Sequence, residues 1–201
     1  MGRTSDARER LIEEASRLFH ERSYEGVGVQ ELCEAAEINK GSFYHFFKSK
    51  DDLAAAVIDA HWLAIRDELL APTLADDVAP LARIERFFER LMRDQRSGRR
   101  DLGITPGCPL ANLAGELCNH EPKLRRKLAR VFDGMRDALE ATLREAIAAG
   151  ELPRGTDAAR GAEALVALGE GACLLSAAHD DPALVGRVGR MALGLIGARR
   201  A

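Results

Sequence analysis

The chain has 201 residues, 46% of them apolar and 30% charged, which supports a continuous hydrophobic core under a solvated surface and excludes a disordered polymer. A formal net charge of −3 excludes nucleic-acid binding by bulk attraction, so any contact with a polyanion has to come from a local patch. No uninterrupted apolar run reaches about 18 residues, and Met1 to Arg10 carry charges of both signs, so neither a membrane span nor a signal peptide is expected. A cytoplasmic protein follows, with Cys33, Cys108, Cys118 and Cys173 as thiols rather than a disulfide framework.

Helical periodicity runs from end to end, without a convincing run of β-branched alternation. Thr4, Ser5 and Asp6 offer caps for a first helix whose stripe is Leu11, Ile12, Ala15, Leu18 and Phe19. Tyr24 to Gly28 breaks it. A short helix is expected over Val29 to Ala36, then a tight Glu37-Ile38-Asn39 connection, then a helix from Lys40 to Phe46 or Phe47 capped by Asn39. Ser49 with Asp52 opens a longer helix to about Leu70, ended by Ala71-Pro72.

Leu81, Ile84, Phe87, Phe88 and Leu91 mark the next helix, expected to stop in a charged linker from Arg96 to Asp101. Gly103 to Pro109 reads as a loop and Leu110 to Cys118 as helix. Pro122 starts a long helix ended by Gly150, and two more follow over Thr156 to Ala178 and Pro182 to Ala198. The fold class is all-α, with about nine helices, no sheet and no internal repeat.

Three short helices and a long one within the first 70 residues are the layout of a helix-turn-helix. The three-residue turn sets the second and third helices at a steep angle, so the third can enter a major groove. Phe43, Phe46 and Phe47 fall on one side of that helix and are expected to pack on Leu18, Leu32 and Ile38. Ser42, Tyr44, His45 and Lys48 are left outside, with donors suited to phosphates and base edges. Gly41 leaves room for a close backbone approach, and Lys40, Lys48 and Lys50 gather positive charge. That charge is local, because the first fifty residues hold nine acidic residues against eight basic ones. Each aromatic or lysine taken singly is ordinary core or surface; their register with the two preceding helices carries the reading.

The run from Ala35 to Lys50, AAEINKGSFYHFFKSK, closely resembles the TetR-family DNA-binding signature, and the likeness extends over residues 4–60. The resemblance implies that Ser42 and Tyr44 face the groove, that His45 and Lys48 hold phosphates, and that Gln30 starts the bracing helix. Glu37 departs from it, since many relatives carry Gly in that turn. The resemblance also implies a helix-turn-helix domain over residues 1–50 and an effector-binding and dimerisation domain over 51–201. The expected function is a homodimeric, sequence-specific repressor of transcription on a palindromic operator. A dimer is required because two recognition helices must reach successive major grooves about 34 Å apart.

The last two helices are the candidate dimer interface, through the small and apolar residues Ala162, Leu165, Gly169, Ala172, Val188, Met191 and Leu195. The middle of the chain, by the same resemblance, holds a ligand pocket. Its candidate lining is Trp62, Phe88, Leu91, Leu113, Leu117, Phe132 and Met135, each of which alone is equally well core. The segment from Gly107 to Cys118, GCPLANLAGELC, resembles a sensor segment of NemR-like electrophile- and oxidant-responsive repressors. Cys108 lies at a helix start, where the dipole favours thiolate, and Cys118 is ten residues on, about 15 Å along a helix and on another face. Small buried cysteines are the competing and weightier reading of this pair, while Cys33 is expected in the core and Cys173 in the core or the interface.

No cofactor is expected, and no metal: Cys118-Asn119-His120 is a weak signal beside scattered histidines. Phosphate loops and nucleophile elbows are missing, which argues against an enzyme. Two alternatives remain: a small helical thiol enzyme or carrier acting on electrophiles through Cys108, and an architectural DNA binder without an effector.

Overall fold

The structure is a computed structural model that describes residues 2–118 and 121–197, with side chains from Asp6 onward. Among the described residues there are nine helices and no strand. They are α1 (Gly2–Arg22), α2 (Val29–Ala35), α3 (Lys40–Phe46), α4 (50–73), α5 (Pro80–Leu102), α6 (Pro109–Leu117), α7 (Pro122–Ala148), α8 (Ala158–Ala178) and α9 (Ala183–Leu195). In α4 regular turns over Lys50–Ala64 give way to a wide, π-helical stretch over Ile65–Leu70 and close on Ala71–Thr73.

Several boundaries have local causes. Asn39 accepts a hydrogen bond from the Ser42 amide at 2.8 Å and starts α3, and Ser49 accepts from the Asp52 amide at 3.1 Å at the head of α4. Asp157 does the same for Arg160 at α8. Helix α7 closes on Gly150, whose φ of 79° lets the Glu151 amide reach the Ala146 carbonyl at 2.9 Å.

Three expectations need correction. Helix α1 begins at Gly2, so Thr4, Ser5 and Asp6 lie inside it instead of capping it. The charged stretch Arg96 to Asp101 is not a linker: α5 runs through it to Leu102, taking Gly98 inside the helix, and closes at Gly103, which takes φ 77°. Helix α8 is long and apolar enough, by length and composition, to cross a bilayer, although no uninterrupted apolar run exists. Its apolarity comes largely from Ala and Gly, and its inner stripe packs against α5 and α9. Ala198, the expected end of the last helix, lies outside the described residues, as do Asn119 and His120.

The chain forms two compact units, Met1–Leu63 with Pro109–Arg130, and Ala64–Cys108 with Val131–Ala201. The first buries Leu11, Ala15, Phe19, Leu32, Phe43, Leu53, Val57 and Ile58 of α1 to α4, and Leu113, Leu117, Leu124 and Leu128 of α6 and α7. The second buries Ile84, Phe87 and Phe88 of α5 with Leu139 and Leu143 of α7, Leu165 of α8 and Val185 of α9. Helices α5 and α9 approach closely through Gly189, where an added Cβ would sit 2.4 Å from the Phe88 Cβ. Arg83, itself buried, crosses to Glu145 at 2.6 Å and to the Val78 carbonyl at 2.8 Å.

His61 is half-buried in the first unit beside Ser16, whose hydroxyl lies 2.9 Å from Nε2. Burial, and then the nearby His20, push its pKa below the usual histidine value. The unfolded chain therefore binds the extra proton first, and stability falls as pH drops below about 6.5 toward the lowered folded-state pKa. Melting between pH 7.5 and 5.5 should show a decline that His61→Gln reduces. An unchanged pH dependence in that variant would rule out His61 as its source.

Candidate nucleic-acid interface and sensor cluster

Seven residues of α3 must serve two faces. Phe43 is fully buried and Phe47, just past the helix, is nearly so, their ring centroids 6.2 Å apart. Arg8 stacks over the Phe47 ring at 5.2 Å. Phe46 is only half-buried, against the expectation that all three phenylalanines pack inward; it sits edge-on to His45 at 5.2 Å.

With the inner face filled, Lys40, Gly41, Tyr44, His45 and Lys48 are exposed and Ser42 half-exposed. Tyr44 shows 57% of its surface, unusual for a tyrosine, while its ring edge rests on Phe43 at 5.2 Å. Gln30, in the first turn of α2, is exposed and donates to Glu34 at 2.6 Å. All seven predicted DNA-contacting residues lie in the first unit, on α3, its flank and the start of α2.

Lys50 does not belong to that patch. Its ammonium lies 4.1 Å from the centroid of the Tyr24 ring and donates to the carbonyls of Tyr24 at 3.0 Å and Val27 at 3.3 Å. The Tyr24 hydroxyl donates to Asp51, and burial together with that carboxylate holds the phenol far above its ordinary pKa. On the other side Glu116 of α6 accepts from the amides of Tyr24 at 2.8 Å and Glu25 at 3.4 Å. The loop that feeds α2 is thus tied by Lys50, which the sequence pattern grouped with the basic patch, and by Glu116, which it did not single out.

The turn between α2 and α3 explains the departure at Glu37. Its φ is 53°, in the left-handed region. Its amide donates to the Glu34 carbonyl at 3.2 Å, and the Ile38 amide donates to the Cys33 carbonyl at 2.9 Å. This is a helix ending that glycine fits best, and the turn keeps its geometry without one.

In the second unit a polar cluster lies around the Gly107-Cys108-Pro109 motif. Gly107 has φ 76° and is held at both ends by the buried Gln95: its amide donates to Oε1 and its carbonyl accepts from Nε2, each at 2.9 Å. An added Cβ there would lie 3.3 Å from Ala177 of α8. The same Gln95 Nε2 lies 3.9 Å from the Cys173 sulfur. Asp180, past the end of α8, accepts from the Thr105 amide and hydroxyl at 3.0 and 2.8 Å and from Arg99 at 2.7 Å, which hold its carboxyl below the usual range. Cys108, half-buried, hydrogen-bonds the Glu170 carboxylate. Burial pushes Glu170 up, and pushes the Cys173 thiol up to about 12. No disulfide joins any of the four cysteines.

The remaining predicted residues divide. Trp62, Leu113, Leu117 and Cys118 fall in the first unit, the two leucines buried in its core. Phe88, Leu91, Phe132, Met135 and Cys108 fall in the second. There Leu91 and Cys108 pack on a cluster of Ala172, Cys173 and Val185, and Phe88 and Leu91 face Gly169. One open cleft of the second unit, about 550 Å³, is lined by Arg96, Arg99, Arg100, Asp181, Pro182 and Ala183 and shares none of the predicted lining. Among the described residues no group of His, Cys, Asp and Glu is arranged to hold a metal ion.

The expected dimer residues also divide, and four are corrected. Ala162, Leu165, Gly169 and Ala172 are buried within their own unit, with Gly169 against Phe88 and Leu91. The opposite stripe of α8 is open: Ala164, Ala167, Leu174 and Leu175 are exposed and Leu168 and Gly171 partly so. On α9, Met191 and Leu195 are 62% and 67% exposed and Val188 partly so. Small residues occur on both sides of α8, so composition alone did not separate inner from outer.

A helix-turn-helix with a polar outer face, in an all-helical chain with a separate helical unit, defines a DNA-binding transcriptional regulator. Residues 11–57 match the profile of bacterial regulatory proteins of the tetR family, and residues 80–192 match the tetracyclin repressor-like C-terminal domain. The chain is 34% identical to the transcriptional regulator AcuR of Cereibacter sphaeroides, over 84% of this chain and 75% of that one. It is 27% identical to the transcriptional repressor NemR of Escherichia coli K12, over 65% and 63% of the two chains. Among solved structures, a TetR regulatory protein from Rhodobacter sphaeroides superposes with a TM-score of 0.81 at 32% identity, covering 92% of this chain and 96% of that one. The chain belongs to the TetR family of transcriptional regulators, whose members are DNA-binding repressors and not enzymes.

Glu37→Gly should stabilise the protein by about 1 kcal/mol, the cost of holding a side chain in the left-handed region. Urea unfolding would show it as a raised midpoint at constant slope. A lowered midpoint would contradict the assigned turn.

Proposed function

We propose that this regulator is a cytoplasmic homodimer that represses transcription from a palindromic operator, without a cofactor, and leaves the DNA when an effector acts on its C-terminal region. Residues 1–50 bind double-stranded DNA, and residues 51–201 bind the effector and the second subunit. The observation that carries this reading is the two-faced α3: Phe43 buried, with Tyr44, His45 and Lys48 exposed beside it. Ser42 and Tyr44 read base edges, Lys40, His45 and Lys48 hold phosphates, Gly41 admits the backbone and Gln30 braces from α2. The effector is a small molecule or a reagent that modifies a cysteine, and either must favour the DNA-free state to cause release. Cys108 is the cysteine this reading uses.

Combined Tyr44→Ala and Lys48→Ala should weaken binding to the protein's own upstream DNA by at least about tenfold and flatten its salt dependence by about one unit of slope. The melting temperature should barely move, since both side chains are exposed. Wild-type affinity in this variant would sink the assignment of α3 as the reading helix.

A second copy of the chain covers the open stripe of α8 and α9. A face built from Ala164, Ala167, Leu174, Leu175, Met191 and Leu195, apolar and small, suits a close helix contact, with the exposed Glu163 and Arg187 beside it. Leu174→Asp with Met191→Asp should give monomers in sedimentation at micromolar concentration with the helical spectrum intact. Ala162→Asp should instead lower stability, because Ala162 is fully buried in its own unit. A dimer that survives the double substitution would place the interface elsewhere.

A further inference from the structure

We propose that the first turns of α7 are a second DNA-backbone surface, on which Arg126 and Arg130, with Lys123 beside them, take phosphates next to those that Lys48 holds. The inference rests on the reading that the first unit binds DNA, and it concerns a part of the chain outside residues 1–50.

Charge is the first support. Within the first unit, residues 1–63 hold eight basic side chains against twelve acidic ones. Away from the patch on α3, that stretch repels a polyanion. Residues 109–130, the rest of the unit, hold five basic side chains against two acidic ones, and all five lie between Lys123 and Arg130. The cations that offset the acidity of the head are thus gathered on two turns of one helix.

Placement on that helix is the second. Leu124 and Leu128 are buried and fix the inner face of α7. Lys123, Arg126, Lys127 and Arg130 follow one another at spacings of 3, 1 and 3, so they share a sector of about 100° beside that face. The stripe is about 10 Å long, and a DNA strand presents a phosphate about every 3.4 Å along its axis, so more than one comes within reach.

The four cations have different employment. Lys123 donates to Asp52 at 2.9 Å and Lys127 pairs with Asp59 at 2.6 Å, both on α4, which fastens the stripe to that helix. Arg126 and Arg130 are exposed, and no carboxylate pairs with either among the described residues. The helical neighbours of Arg126 are Pro122, Lys123, Ala129 and Arg130, none of them acidic. Asp133, one turn beyond Arg130, is held by Arg136 at 2.8 Å. Like charges four residues apart destabilise a helix, and a bound anion relieves them.

Continuity with the head names the anion. Asp52 lies in the first turn of α4, four residues after Lys48. The hydrogen bond from Lys123, with the field of Lys48 added to it, holds its carboxyl below the usual range. The near end of the stripe is therefore the neighbourhood of Lys48, and a strand whose phosphate Lys48 holds continues beside Lys123 and Arg126. Arginine forks take phosphate oxygens two at a time, and contacts of this kind hold DNA without reading its sequence.

The test uses the full-length protein with Arg126→Gln and Arg130→Gln together, and with Arg126→Lys and Arg130→Lys as the pair that keeps the charge. Neither arginine has a carboxylate partner to lose, so the melting temperature should not fall. Affinity is measured over a salt series for the protein's own upstream DNA and for an unrelated duplex of equal length. The glutamine pair should weaken both duplexes alike, on the order of tenfold near 0.15 M salt, and flatten log affinity against log salt by about one to two units. The lysine pair should keep the slope, and phosphate ethylation interference should lose positions in the glutamine pair that wild type shows. An unchanged slope in the glutamine pair overturns the proposal, as does a loss confined to the upstream DNA. If the slope stays there but flattens in Tyr44→Ala with Lys48→Ala, the α3 assignment stands without the α7 surface. If the glutamine pair flattens it while Tyr44→Ala with Lys48→Ala binds as wild type does, the α7 surface stands and reading by α3 falls.

Discussion

The burial of Phe43 is the constraint on which the reading head depends. A seven-residue helix has too few backbone hydrogen bonds to be stable alone in water, so its orientation must come from tertiary packing. Removing a phenylalanine side chain from water contributes about 2–3 kcal/mol, and Phe47 adds a second anchor one turn further on. Once these two point inward, the helical period leaves Tyr44, His45 and Lys48 no other direction than outward. Asn39 starts the helix at the required residue, and the left-handed Glu37 sets the angle at which it leaves α2. The charge of the patch is therefore a consequence of where the aromatics go.

This is also why so much of the head was legible from the residues. The boundaries of α2 and α3, the Asn39 cap and the outward set follow from local rules acting over three or four residues. What escaped was non-local. Lys50 reads as one more cation in a basic run, yet it bonds two carbonyls some 25 positions earlier in the chain. Glu116 lies 92 residues from the Tyr24 amide it accepts from, and sequence spacing holds no record of that pairing. Phe46 was placed inward by periodicity, but the end of a short helix gives it only half a wall.

Helix α8 shows a different limit. Inner and outer stripes are both made of Ala, Gly and Leu, so the hydrophobic pattern that identifies a buried face elsewhere is degenerate here. The stripe of Ala162, Leu165, Gly169 and Ala172 looked suited to a partner because small residues let helices approach closely. The partner it meets is internal: the side chains of Phe88 and Leu91 on α5 fill the space over Gly169. A helix that needs two close neighbours, one in its own unit and one outside it, has to be small and apolar on both sides. That demand also gives α8 the composition of a membrane span, so the resemblance to one is a by-product of packing.

The same helix carries Glu170 between these two stripes, and its presence there calls for a physical reason. A glutamate whose second oxygen is buried without a donor lowers stability, and an alanine or glutamine would remove the charge at small cost in volume. The cluster that begins two residues further along α8 is apolar, built on Ala172, Cys173 and Val185. Solubility does not require the charge, because it is largely turned away from water. What the carboxylate does have is a hydrogen bond with Cys108, which follows a glycine turn that the buried Gln95 clamps from both sides. That one polar contact, in a layer otherwise built from apolar side chains, lies where α8 turns from its inner stripe to its outer one.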